Sequence, residues 1–341
     1  MDAPNSSIFN FERIRQLRLL SAKTWGWFAF LTTAMVVGVW LARVVVERLL
    51  PIPQTQAVAA LGPETEVLVS GSSRVLRGIE PSLYSNNIVN LSSGGLGYGV
   101  VEPIILRALR HAPNVKLVIL EMDSFLIHCD GVASHWNSGR LYALGLHAWD
   151  FPVPWGRRIL RLLTQPPVFM VSRLTPDNLL KRNPALLKRA NQGFEPFMGT
   201  RNLAEDPDYA GHGPERFIQM HKAQTEKCDS AHNVPALVRL CQTLNARGIS
   251  VLLLRLPHLE VWRKGVNPEW DRQTQSAAQA VQAQVGDGVW FYDLAETPGF
   301  DLWLFTDGLH FNDAGCQRLA ELLNPLISDS CRRGDPHWPS K

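Results

Sequence analysis

Five short, nearly uninterrupted apolar runs recur between residues 66 and 294, and stretches of helical periodicity separate them. The runs are Glu66–Ser70 (EVLVS), Ile88–Leu91, Lys116–Leu120 (KLVIL), Ile249–Leu254 (ISVLLL) and Val289–Leu294 (VWFYDL). A strand that is apolar at consecutive positions must bury both of its faces, and a parallel sheet covered by helices on each side does this. Val101–His111, Val234–Arg247, Arg272–Val285 and Asp313–Ile327 supply the helical patterns. The expected fold class is therefore α/β, a three-layer α/β/α sandwich around a parallel sheet.

Ahead of this domain lies an uncharged run from Trp25 to Ala42, WGWFAFLTTAMVVGVWLA, with Trp25, Trp27 and Trp40 near its ends. Aromatic ends between charged flanks favour a transmembrane helix over a buried core helix. A cleaved leader is disfavoured by the lead-in of more than twenty residues and by the lack of a small-x-small site before Arg43. Arg13, Arg15, Arg18 and Lys23 precede the run, whereas only Arg43 and Arg48 follow before Arg74. The positive-inside rule then places the amino terminus in the cytoplasm and the rest outside the inner membrane, in the periplasm or an equivalent space. The expected divisions are a tail over 1–23, a single-pass helix over 24–46, a proline-bearing stalk over 47–64, the α/β domain over 65–330 and a tail over 331–341.

Composition narrows the function classes. In 341 residues, 45% hydrophobic content excludes wholesale disorder, and Lys+Arg 34 against Asp+Glu 31 leaves only +3, too little for a nucleic-acid partner. Five cysteines (Cys129, Cys228, Cys241, Cys316, Cys331) without a CxxC pair suggest no structural zinc, and their odd number leaves at least one thiol unpaired in a monomer. His128 with Cys129 and Asp130 has no second spaced pair, so no metal is expected. Gly94-Gly95-Leu96-Gly97-Tyr98-Gly99 lacks the lysine of a phosphate loop, so no cofactor is expected either. Between about 130 and 230 the strand rhythm stops. There Trp136, Trp149, Trp155, Phe169, Phe194 and Phe197 alternate with Arg157, Arg158, Arg161, Arg173, Lys181, Arg182, Lys188 and Arg189. This reads either as an insertion lining a substrate groove or as amphipathic helices with solvated cationic faces.

In an open α/β sheet, ligands bind beyond the carboxyl ends of the strands. The first strand runs into Gly71-Ser72-Ser73-Arg74, which puts a serine hydroxyl at that edge. A serine needs a base, and the base needs a group to hold its tautomer. Asp307 and His310, three apart in FTDGLHFNDAG, precede the last helix, with Asn312 or Asp313 as its cap. Asp229 and His232 repeat the spacing but sit at the edge of the insertion.

The Gly-x-Ser turn, the segment Asn90 to Gly95 (NLSSGG) and the late Asp-x-x-His together resemble the SGNH/GDSL hydrolase superfamily. With the amino-terminal span, they are similar to its membrane-anchored branch related to the DltD and AlgX/AlgJ proteins of cell-envelope acylation. The resemblance covers roughly residues 65–130 and 232–328. It implies a flavodoxin-like sheet with Ser73 as nucleophile, His310 as base and Asp307 as its orienting carboxylate. Oxyanion donors would be the Ser73 N–H, the N–H of Gly95 or Gly94, and a side chain at position 123. There the family has Asn in Gly-x-Asn-Asp and this chain has Asp123. An ionised Asp123 would repel an oxyanion, so it is protonated, points elsewhere, or lowers activity.

The resemblance implies an ester hydrolase or O-acetyltransferase acting on acetyl esters of an envelope or exported polysaccharide, with a membrane-bound acyltransferase as partner. The alternative is a glycan-binding or assembly subunit that keeps the scaffold without efficient chemistry.

Overall fold

The structure, a computed structural model, describes residues 22–49, 53–94, 96–128, 144, 191–195, 202–206, 208–209, 213–225 and 233–333. It divides into two compact units, one ending at Leu49 and one beginning at Leu50. The first contains helix α1 (Ala22–Leu49). The second contains, in chain order, α2 (Pro53–Ala59), β1 (Val67–Ser70), α3 (Ser73–Gly78), β2 (Ile88–Asn90), α4 (Tyr98–Ala108), β3 (Leu117–Glu121) and α5 (Ser124–His128). After the insertion come α6 (Pro214–Thr225), α7 (Asn233–Asn245), β4 (Ser250–Arg255), α8 (Glu260–Gly265), α9 (Pro268–Val285), β5 (Val289–Asp293) and α10 (Asp313–Arg333).

All five strands are parallel, in the order β2-β1-β3-β4-β5. Each central strand is buried along its whole length, and alternate residues feed two separate cores. Leu68, Val118, Leu120, Val251 and Leu253 pack with α4, α7 and α9. Val67, Val69, Leu117, Ile119, Leu252 and Leu254 pack with α3, α8 and α10. The two-residue period of a strand places these sets on opposite faces, so helices flank the sheet on both sides. Burying a Val, Leu or Ile side chain is worth about 1.5–3 kcal/mol, which is why this layer dominates the stability of the unit.

The chain order reverses between β1 and β3, and at such a point the loops leave in opposite directions and open a crevice beyond the carboxyl ends. Register makes those ends level: Ser70 pairs with Leu120, Glu121 with Leu254 and Arg255 with Asp293.

Several expectations are revised. Residues 53–59 form α2 rather than an open stalk, with Pro53, Gln54 and Ala57 buried. A proline at the first position of a helix has its φ already set, so Pro53 begins a helix instead of extending a tether. Helix α10 continues through Cys331, which is buried, so the first residue of the expected tail belongs to the core. Phe194 lies 1% exposed in the core beneath the sheet and lines no groove. The remaining aromatic and basic residues named in the insertion lie outside the described residues. So do Cys129, Asp130, Cys228, Asp229 and His232. Cys241, Cys316 and Cys331 are buried, and the Cys316 thiol donates to Arg77 O at 3.1 Å.

In α1, Trp25, Trp27, Phe28, Phe30, Leu31 and Met35 are all exposed. Side chains of this helix are described only at 24–35, 37, 38 and 41, and among the described residues no helix is long and apolar enough to cross a membrane.

One side chain ties the sheet edge to the helix that opens with Ser73. Asn90, buried at the end of β2, donates from Nδ2 to the carbonyls of Val75 (3.0 Å) and Ile79 (2.9 Å), and its Oδ1 accepts from Ser92 N–H (3.1 Å). In Asn90→Ala the Val75 carbonyl keeps its bond from Ile79 N–H, but Ile79 O and Ser92 N–H lose this partner, and a buried backbone group costs about 1–3 kcal/mol when unsatisfied. Urea unfolding of this variant is expected to lose about 2 kcal/mol or more. A loss near zero would mean that α3 is held by packing alone.

Candidate active site

The nucleophile candidate sits at the first residue of α3. Ser72 caps that helix, its Oγ accepting from Arg74 N–H at 3.2 Å, and its own N–H donates to Glu121 Oε2 at 2.5 Å. Ser72 is buried, whereas Ser73 is half-exposed, so the turn is anchored from below and its hydroxyl faces outward. Gly71 makes this approach feasible. A Cβ there would lie 2.5 Å from Glu121 Oε2 and 2.6 Å from Glu121 Cβ. Ser73, as the opening residue of a helix, has an N–H with no carbonyl behind it to bond.

The base arrives from the other end of the chain. Phe305 and Phe311 form an antiparallel bridge, and Thr306 N–H donates to His310 O, closing a short hairpin. Inside it, Asp307 Oδ1 accepts from Leu309 N–H (2.8 Å) and His310 N–H (2.7 Å), a side-chain turn of the kind aspartate favours. Gly308 is needed here because a Cβ would run into the backbone of Pro214 at the start of α6. The Phe217 ring of α6 then meets the His310 imidazole edge to face at 6.3 Å. Asn312 caps α10, its Oδ1 accepting from Gly315 N–H, and braces the loop through Nδ2 to Trp303 O.

These elements bring together the three residues expected from the sequence. Ser73 Oγ lies 2.8 Å from His310 Nε2, and His310 Nδ1 lies 2.8 Å from Asp307 Oδ2. Asp307 and His310 are 4% and 6% exposed. Burial raises the Asp307 carboxyl, but hydrogen bonds from the His310 ring and the two backbone N–H groups outweigh it and hold the group below its usual range, ionised. Burial lowers His310, and the carboxylate opposes but does not cancel that effect, while Arg77 and Arg74 add to it. The imidazole is therefore neutral near pH 7. With Nδ1–H donated to Asp307, Nε2 presents a lone pair to the Ser73 hydroxyl.

The expected oxyanion donors fare differently. Gly94 lies in the turn after β2, and Gly95 is outside the described residues. Asp123 is not a donor. Its Oδ2 accepts from Arg74 Nη1 at 3.1 Å and its Oδ1 from Phe125 N–H at 3.0 Å, starting α5. The physical reason is the neighbour beyond Ser73: a buried guanidinium needs an anion, and Asp123 is within reach.

Three residues of this region were not singled out from the sequence. Arg74 Nη2 donates to Pro257 O at 2.6 Å, and Nη1 lies 2.7 Å from His258 Nε2. Burial pushes His258 down to about 3, and the Arg74 charge adds to it, so the ring is neutral and Nε2 accepts from the guanidinium. Burial pushes Glu121 up to about 7, with Asp123 adding and Arg74 opposing. The readable signal was a charged group at the end of a buried strand, which must have partners.

No protein-family model matches the chain, and no curated protein matches it. Among solved structures it is similar to "The structure of a putative platelet activating factor from Streptococcus pneumonia", at 15% identity over 86% of this chain and 99% of that chain, with a TM-score of 0.40. A likeness this slight carries no argument about activity.

A base must be unprotonated to work, so any reaction of Ser73 that uses His310 should fade as pH falls through a midpoint below 6.5, the ordinary imidazole value. Fluorophosphonate labelling rate against pH is the measurement. Glu121→Gln should leave that limb in place, and a limb that disappears in this variant would assign it to Glu121.

Proposed function

We propose that the chain is a serine esterase or O-acyltransferase of the SGNH type, anchored at a membrane and acting on acyl esters, acetyl above all, of an envelope or exported polysaccharide. The observation that carries this reading is the continuous chain of contacts from Ser73 Oγ through His310 to Asp307, 2.8 Å at each step.

In the proposed reaction Ser73 Oγ attacks the acyl carbonyl while His310 Nε2 takes its proton. The Asp307 carboxylate holds the ring and offsets the imidazolium charge that forms. The N–H groups of Ser73 and of Gly95 or Gly94 are the donors proposed for the developing oxyanion. His310 Nε2–H then protonates the departing sugar alcohol, leaving acyl-Ser73. A water or a second sugar hydroxyl, deprotonated by the same nitrogen, releases the acyl group. Water gives hydrolysis and sugar gives transfer. No step calls for a metal or cofactor.

Helix α1 is proposed as the anchor, with its amino end in the cytoplasm and the α/β unit on the outer side, beside a membrane-bound acyltransferase that supplies the acyl group. Support comes from its exposed aromatic and aliphatic side chains and from Thr32, whose Oγ1 donates to Phe28 O at 2.8 Å and so satisfies its own hydroxyl within the helix.

Ser73→Ala is expected to cut p-nitrophenyl acetate turnover by about a thousandfold or more, the scale seen when a nucleophile is removed. Turnover retained by the variant would place the nucleophile elsewhere, and none in either protein would favour a binding or assembly subunit. The full chain should also stay with the membrane pellet after carbonate extraction and leave it only with detergent. Release by carbonate alone would rule out the anchor.

A further inference from the structure

The proposed reaction leaves one buried cluster unexplained. Arg74, Asp123 and His258 are 4%, 6% and 6% exposed and come from the ends of three adjacent strands, β1, β3 and β4. Arg74 is the residue after Ser73, so whatever fixes its guanidinium fixes the peptide that carries the nucleophile. Three contacts do so. Asp123 Oδ2 accepts from Nη1 at 3.1 Å, His258 Nε2 from the same nitrogen at 2.7 Å, and Pro257 O from Nη2 at 2.6 Å. His258 is held in turn by stacking on Trp262, the rings nearly parallel at 4° with centroids 5.8 Å apart. Asp123 is itself pinned by Phe125 N–H.

A cationic fork buried this deeply is costly unless its partners are well placed, and removing one partner leaves a charge without an answer. A hydrophobic pair of similar volume would serve packing at least as well. The cluster therefore matters most for what it holds in place, namely Ser73 against His310 across the crevice.

We propose that Asp123 is a positioning residue that acts through Arg74 and His258 to set Ser73 at hydrogen-bonding distance from His310. The inference rests on the reading of Ser73 as nucleophile. It gives position 123 the opposite task from an amide that donates to the oxyanion. Asp123 supplies negative charge below the turn, and an amide there would weaken the grip on the guanidinium.

The test uses the full chain in detergent with p-nitrophenyl acetate as substrate, and circular dichroism to confirm folding. Asp123→Asn is expected to lower kcat by about a hundredfold, the scale of a misplaced reacting group, with KM little changed. Arg74→Gln should do the same. The double variant should fall no further than either single one, because both act on one element. A kcat for Asp123→Asn equal to or above the wild-type value would overturn the inference in favour of an amide donor, and losses that multiply in the double variant would overturn the coupling. If Asp123→Asn does not fold, Arg74→Lys carries the test: it keeps the charge and loses the fork, so kcat should fall at constant KM, and an unchanged kcat would overturn the inference. Turnover that is absent in the wild type, or that survives Ser73→Ala, overturns the reading of the site and this inference with it. Turnover lost in Ser73→Ala and intact in Asp123→Asn overturns the inference alone.

Discussion

A single hydrogen bond between Ser73 Oγ and His310 Nε2, closing 237 positions of chain, is the contact on which everything else in the crevice depends. Neither residue can reach the other by local structure. They meet because a parallel sheet delivers the carboxyl ends of its strands to one edge, and because the connections after β1 and β5 both leave from that edge. The sheet makes the ends level, and small local devices then aim the side chains: the Ser72 cap, the Gly71 approach to Glu121, the Asp307 turn and the Gly308 contact with α6. These devices have little value apart from the sheet that brings them together.

The carboxylates around the site have separate assignments set by their surroundings. Asp307 accepts from three N–H groups and remains charged under His310. Asp123 answers the Arg74 guanidinium. Glu121, held against Gly71 with Ser72 N–H as a donor, is pushed up to about 7 by burial and by Asp123. Charge of both signs is thus packed beneath the nucleophile, and the crevice floor is polar where the strand segments that lead to it, Val67–Val69, Leu117–Leu120 and Val251–Leu254, are apolar. Such a floor resists collapse into a hydrophobic core and leaves the Ser73 hydroxyl accessible.

Much of this was legible in the sequence because the sheet is buried on both faces. Runs such as KLVIL and ISVLLL can be little else, and all five strands fall within a residue or two of the runs that announce them. The four long helices were legible for the same reason, their apolar stripes being set by those cores. A serine of the turn after β1 was legible through its place at a strand end, and Asp307 and His310 through their spacing in the loop ahead of the last helix, while the family resemblance picked Ser73 out of the turn. What escaped was short or depended on register. Helices α3 and α8 are only six residues each and carry too few turns to show a period. The prolines ahead of the domain suggested a tether, though Pro53 begins a helix. The partnership of Arg74 with Asp123 and His258 joins positions 49 and 184 apart, and no spacing rule links them. Only the pairing of Ser70 with Leu120 and of Glu121 with Leu254 makes them neighbours.

The central claim is that Ser73 is a hydroxyl made nucleophilic by His310. It is tested most directly by treating the full chain with a fluorophosphonate and sequencing the tryptic peptide from Leu49 to Arg74 by fragmentation, which separates Ser70, Ser72 and Ser73. A stoichiometric adduct on Ser73 that vanishes in His310→Ala is the predicted result. An adduct on another residue, or none on this peptide in the wild-type protein, would contradict it.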